Sequence, residues 1–286
     1  YSWITTGIPP KRQRHRKETR LLANVFLKSL RDQRRSLCWW LVGVAALSIF
    51  TVLFYPSIAD DPAFDEMLER LPEALSRAML GDVKDLTSPE GYLNSQLFVF
   101  MIPLVLMVFT VGKGTGGIAG EEEKGTLELL LSYPISRWRL VVDKFLAMGV
   151  ATGVIATGIW FSLFVGAIMV GMEIGAWRLA EATFSAAWLS MVFGTFALAL
   201  GSAIGKRNTS IGITAGLATA AYLLNAMAPL ADVLEPSRKF SPFYYYNSDD
   251  PLSNGLDPLH VLVMSAMVAI FLVISAVTFE RRDVGV

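Results

Sequence analysis

Few residues in this chain have the types and spacing that chemistry requires. The two histidines, His15 and His260, and the single cysteine, Cys38, are scattered. A metal site needs several converging ligands, so none is expected, and one cysteine supports neither a disulfide framework nor a cysteine metal cluster. Gly112-Lys113-Gly114-Thr115-Gly116-Gly117 formally matches GxGxxG. A dinucleotide site needs that pattern after a β-strand, whereas here it closes a long apolar run. Its glycines are better suited to letting helices approach or flex. No GxxxxGKS or GxxxxGKT occurs, so the chain does not bind ATP by a P-loop. No catalytic residue is expected. What remains is Gly120 to Arg137, GEEEKGTLELLLSYPISR. Lys124-Gly125 breaks a helix start, Thr126 is a good N-cap, and Leu127, Glu128, Leu129, Leu130 and Leu131 continue a short amphipathic helix. Pro134 stops it. An acidic, leucine-bearing helix offers anchors (Leu127, Leu130, Leu131) and carboxylates for a partner's basic groups, so its chemistry is docking.

The elements that hold this stretch are apolar. Hydrophobic residues make up 53% of the 286 and charged residues 17%, against roughly 25% charged in a soluble domain. Six stretches carry no Asp, Glu, Lys or Arg: 36–59, 91–112, 145–172, 182–205, 208–231 and 258–279. Each is 22 to 28 residues long, and a helix needs about 20 apolar residues to cross roughly 30 Å of hydrocarbon. Six such runs predict an all-α polytopic membrane protein. They contain no paired carboxylates and no histidine cluster, which argues against an intramembrane enzyme. They also hold no charge to bind a coupling ion, which argues against secondary transport. The zero net charge hides an asymmetry. With both ends on one side, 19 of the 25 Lys and Arg residues fall on that side, which predicts cytoplasmic termini.

In chain order, KRQRHRK at 11–17 reads as a juxtamembrane cluster beside anionic lipid rather than a nucleic-acid site. No cleavable signal peptide is expected. Arg20–Arg35 suits an interfacial elbow helix leading to Trp39 and Trp40 at the water–lipid boundary. The expected organisation is a basic arm and elbow, 1–36, then a transmembrane domain, 37–286. Its spans lie near 37–57, 94–117, 141–172, 182–205, 209–231 and 259–279, with external loops 58–92 and 232–257. Loop 58–92 reads as a packed cap helix, with substrate sensing as the alternative. Pro103 is a plausible kink point in span two. Glycine pairs 149/153, 201/205 and 212/216 favour close helix contacts, within the bundle or between subunits. Asn225 lies inside span five, where a polar side chain lines a path or bonds a neighbour. The segment Phe240 to Tyr246 reads either as an aromatic interface belt or as a re-entrant turn whose Phe240, Phe243, Tyr244 and Tyr245 line an exit gate.

The central stretch resembles the cytoplasmic loop of ABC-2-type transporter permeases, close to GExExGTLExLLxxPxSR. Gly120, Glu121, Glu123, Gly125, Thr126, Leu127, Glu128, Leu130, Leu131, Pro134, Ser136 and Arg137 stand where that pattern wants them. Glu122 departs from the Arg or Lys common between the acidic positions and makes the loop more negative. Supporting matches are Leu71-Pro72-Glu73, Ser88-Pro89-Glu90-Gly91-Tyr92-Leu93, Ser241-Pro242-Phe243 and Phe279-Glu280-Arg281-Arg282-Asp283. The resemblance implies a half-transporter with no catalytic residues, paired with a second permease and with separate ATPase subunits that bind ATP and Mg. The stretch 120–137 would be the coupling helix seated in the ATPase. The cargo implied is a hydrophobic or amphipathic molecule (drug, lipid or peptide-like), exported across the plasma membrane. The alternative is an ATPase-coupled assembly or maturation factor that exports no small molecule.

Overall fold

A computed structural model describes residues 25–59, 88–132, 136–228, 235–248 and 250–282. The basic arm, the expected cap helix at 61–79, Pro134 and Asp283 lie outside the described residues. The fold is all-α, with six helices long and apolar enough to cross a membrane. We number the helices α1 (Val25–Phe54), α2 (Met101–Gly117), α3 (Ala119–Glu123), α4 (Leu127–Leu131), α5 (Arg137–Val170), α6 (Ala176–Ile204), α7 (Arg207–Met227), α8 (Pro242–Asn247) and α9 (Pro258–Arg281). The spans are α1, Pro89–Gly117 (which ends in α2), α5, α6, α7 and α9. Most start or end a few residues beyond the charge-free runs, because flanking charged residues continue the helical turns. One difference is larger. From Val25 the chain runs helical without a break into span one, where the sequence suggested an elbow up to Arg35.

Local chemistry sets the starts. Asp257 accepts a hydrogen bond from the Leu259 amide at 2.7 Å with Pro258 in the first turn, beginning α9. Ser241 accepts from the Phe243 amide at 3.2 Å ahead of α8, and Ser88 from the Gly91 amide at 3.1 Å ahead of span two. Each pairs a capping oxygen with a proline whose missing N–H costs nothing there. Inside span two, Pro103 cannot donate to Val99 and its ring crowds that carbonyl. The helix breaks at Val99–Phe100, after a single π-turn over Asn94–Phe98. The Tyr246 hydroxyl from α8 donates to the Phe98 carbonyl at 2.5 Å, satisfying backbone beside the break.

α6 is the centre of the bundle. Of its most apolar window 72% is buried, against 11% for α7, which lies at the periphery. Its closest neighbour is α2. A Cβ on Gly114 would lie 2.2 Å from the Gly194 carbonyl oxygen, and one on Gly194 would lie 2.7 Å from the Thr110 Cβ. Thr110 uses that closeness, donating to the Ser190 carbonyl at 2.8 Å. The Gly112–Gly117 motif is therefore helix, and one of its glycines, Gly114, packs directly against the backbone of α6. Among the spaced pairs, a Cβ on Gly201 would meet the Ala119 Cβ at 3.5 Å, whereas one on Gly153, Gly212 or Gly216 would have no described atom beyond its own helix within 4 Å.

Candidate functional site

The short helices α3 and α4 sit at the end of the bundle where α1, α5 and α7 begin and α2, α6 and α9 finish. They are not one continuous helix. Gly125 adopts φ +66°, a left-handed conformation that ends α3 and turns the chain into α4. Thr126 precedes α4 as expected but does not cap it. Its own backbone is helical, and its hydroxyl points back to α3, donating to Glu121 Oε2 at 2.5 Å and the Glu121 carbonyl at 3.1 Å.

The three consecutive glutamates go to three different spans. Glu121 Oε1 accepts from Lys144 Nζ of α5 at 2.9 Å. Glu122 pairs with Arg282, just past α9, whose guanidinium also donates to the Ser202 carbonyl of α6 at 3.2 Å. Glu123 Oε1 accepts from the Arg207 backbone amide at 2.8 Å, occupying the start of α7. Burial pushes the Glu121 carboxyl up. The hydrogen bonds from Thr126 and Lys144, with the charges of Lys144 and Lys28, outweigh it and hold the group below the usual glutamate range.

Arg137 extends the same network. It donates to the Arg282 carbonyl at 2.6 Å and the Phe279 carbonyl at 3.2 Å, and lies 5.7 Å from the Phe279 ring centre. These bonds satisfy carbonyls at the end of α9 that have no helical donor. Ser136, exposed, is the residue before α5. Gly120 is buried, and the Arg207 Cδ would stand 3.5 Å from a Cβ there. Gly205, at φ +70°, carries the chain from α6 into α7 with the Arg282 guanidinium against its α-carbon face.

The leucines also face inward. Leu127 and Leu130 are buried with Ile118, Leu140, Val141, Leu198 and Phe279 in a small core beneath α4, and Leu131 packs on its edge. Leu127 and Leu130, read from the sequence as anchors for a partner, are thus buried in this chain's own core. Glu121 is likewise bonded within the chain through both carboxylate oxygens, whereas Glu122 bonds through Oε1 and its Oε2 is buried with no hydrogen-bond partner among the described residues. Among the described side chains, α3, α4 and the residues beside them leave exposed Glu123, Lys124, Gly125, Glu128 and Ser132.

The whole arrangement sits within a recognised sequence family. The family model described as ABC-2 family transporter protein matches residues 23–284. The chain belongs to the ABC-2 transporter family. Two curated relatives are each named "Probable ABC transporter permease protein NosY". That of Stutzerimonas stutzeri is 28% identical over 153 residues, covering 52% of this chain and 54% of the relative. That of Pseudomonas aeruginosa is 33% identical over 153 residues, with the same coverage of 52% and 54%. The chain thus spans about half the length of the curated relatives it matches.

At the opposite end of this ABC-2 chain, the residues expected to line a cargo path separate. Asn225 accepts from Arg238 Nε at 2.9 Å, bonding a neighbouring segment. Phe240 is 83% exposed. Tyr244 and Tyr245 meet each other and His260 edge-on, with ring centres 5.1 to 5.6 Å apart. Phe243 alone of these faces an apolar groove of about 660 Å³ between α2 and α7, beside Tyr222 and Phe100. A second groove of similar volume, about 660 Å³, lies between α5 and α6 and carries Trp160 and Trp188.

The sequence reading missed Lys144, Arg207 and Arg282 as site residues. Their signal was available: each lies within a turn or two of a span terminus on the side expected to carry the acidic loop.

Proposed function

We propose that this ABC-2 chain is the membrane-spanning permease subunit of an ATP-driven exporter, with α3 and α4 as its contact to a separate ATPase subunit. The observation that carries this reading is the mechanical setting of those helices. Carboxylates of α3 are bonded to α5, to α7 and to the end of α9, and the leucines of α4 are buried over the same ends. A push on the exposed edge therefore reaches several spans at once, which a contact to a force-generating partner needs. Both termini face the cytoplasm of the plasma membrane in this reading, and a second permease completes the transport unit. ATP and Mg belong to the partner. The apolar groove between α2 and α7, floored by Phe243, suits a hydrophobic or amphipathic cargo.

The experiment is co-purification of the full chain from its native membrane in mild detergent, followed by ATP hydrolysis assays. A P-loop ATPase recovered in stoichiometric amount, with vanadate-sensitive hydrolysis, is the expected result. Glu128→Lys reverses an exposed charge that has no structural bond among the described residues. It should weaken ATPase recovery by about tenfold, the scale of one lost charge contact at an interface rim. A chain that purifies alone, or a Glu128→Lys variant that holds the ATPase as well as the parent, would overturn the assignment of α4.

A further inference from the structure

A polar cavity of about 260 Å³ opens beside α3, and the coupling reading does not use it. It lies between the first turns of α1, the last turns of α2, and the starts of α5 and α7. Five cations line it: Lys28, Lys113, Lys124, Lys144 and Arg207. Two carboxylates oppose them, Asp32 and Glu121. Glu121 is already bonded to Lys144 and Thr126, so the cavity keeps a surplus of positive charge. Lys113 stands with its ammonium 5.4 Å from the Phe109 ring centre. Arg207 Nε is buried and has no hydrogen-bond partner among the described residues. An unsatisfied buried guanidinium donor is costly, and an anion is the partner that removes the cost.

The floor of the cavity points to the source of that anion. Gly112 lines both this cavity and the apolar groove between α2 and α7. No described atom lies within 4 Å of where its Cβ, or that of Gly116, would stand. A charged chamber thus meets a long apolar slot at a helix face with no side chain in the way. The slot is lined on one side by Leu104, Val108 and Val111 and on the other by Ile211, Ala215 and Leu223.

We propose that the cavity binds the phosphate of an anionic phospholipid, with an acyl chain lying along the α2–α7 groove. The phosphate takes its bonds from Arg207 and Lys113, and Lys28 and Lys124 supply the field that favours a net negative headgroup over a zwitterionic one. Gly112 gives the glycerol backbone its passage between the two chambers. The acyl chain would occupy the groove assigned above to cargo, but the site requires no ATPase partner, so its test is separate from that of the coupling reading.

The test uses the purified full chain in a non-ionic detergent and native mass spectrometry. Dioleoylphosphatidylglycerol, dioleoylphosphatidylcholine, glycerol 3-phosphate and inorganic phosphate are the probes. The glycerol lipid should bind at one per chain about tenfold tighter than the choline lipid, and Lys113→Gln with Arg207→Gln should erase that preference. Arg207→Gln keeps the backbone amide that Glu123 accepts from, so the fold is retained. Unchanged choline-lipid binding and melting temperature verify this. If the double variant does aggregate, Lys113→Gln alone gives the same readout at part of the loss. Gly112→Leu, which places a side chain at the junction, should also lower glycerol-lipid binding while leaving phosphate binding alone. Equal affinity for the two lipids, or an undiminished preference in the variants, would overturn the proposal. Displacement of the lipid by equimolar glycerol 3-phosphate or inorganic phosphate would overturn the lipid source and leave a soluble phosphate site.

Discussion

Replacing Glu121 by glutamine tests whether the acidic loop is fastened to its own bundle. The Glu121 carboxylate accepts from Thr126 at 2.5 Å and from Lys144 at 2.9 Å, with side chains 24% exposed for Glu121 and 12% for Lys144. Exposed ion pairs are worth about 0–1 kcal/mol, and hydrogen bonds to charged groups in partly buried settings about 1.5–3 kcal/mol. Glu121→Gln keeps an acceptor for Thr126 but leaves the Lys144 ammonium without its counter-charge, for a loss of about 2–3 kcal/mol. At about 2–4 °C per kcal/mol for a chain of this size, the melting temperature should drop by roughly 4–12 °C. Tryptophan fluorescence during heating in detergent reads this directly. Lys144→Met should cost a similar amount, and the double variant less than their sum by about 1–2 kcal/mol, because the pair can be lost only once. The pH dependence has a fixed sign. A carboxyl held low in the folded state contributes its stability above its unfolded value of about 4.3 and loses it as pH falls through the folded value. The parent should therefore lose more stability than Glu121→Gln between about pH 5 and pH 3. Strict additivity of the two substitutions, or parallel acid profiles, would refute the fastening.

Other outcomes follow from the packing. Gly194→Val puts a Cβ 2.7 Å from the Thr110 Cβ and forces α2 off α6, at a cost of about 3 kcal/mol or more, read as lost folded yield in detergent. Gly212→Ala, with no described atom within 4 Å of its Cβ, should express like the parent. Gly205→Ala should cost about 1–2 kcal/mol in the melting assay, from the φ of +70° and from displacing Arg282. Tyr246→Phe removes the donor to the Phe98 carbonyl and should cost about 1–2 kcal/mol. Burial first and the Asp250 charge second push the Tyr246 hydroxyl well above the usual tyrosine range, so absorbance titration should find one fewer tyrosine only at strongly alkaline pH.

Much of this fold was legible because lipid imposes a length and a polarity on every span. Runs without charge found all six, and the Gly125 break followed from residue type alone. The Pro103 kink was legible as a site but not in form, since the break falls at the carbonyl that proline cannot serve. What stayed hidden is long in sequence. Glu122 meets Arg282 and Glu123 meets the Arg207 amide across 160 and 84 positions, and no local pattern tells an inward carboxylate from an outward one. Leu127 and Leu130 meet the same limit: an amphipathic stripe shows that a face is buried, not against whom. The pairing of Asn225 with Arg238 was likewise beyond a local pattern.

Successive residues on a helix point about 100° apart, so Glu121, Glu122 and Glu123 radiate from α3 like the teeth of a splined shaft, each seated in a different socket. Such a shaft cannot roll by one position without unseating every tooth together. It can, however, slide or tilt with its sockets as a block. In the coupling proposal, rotation of α3 would break all three bonds, whereas a displacement delivered to it as a block would carry the ends of α5, α7 and α9 together.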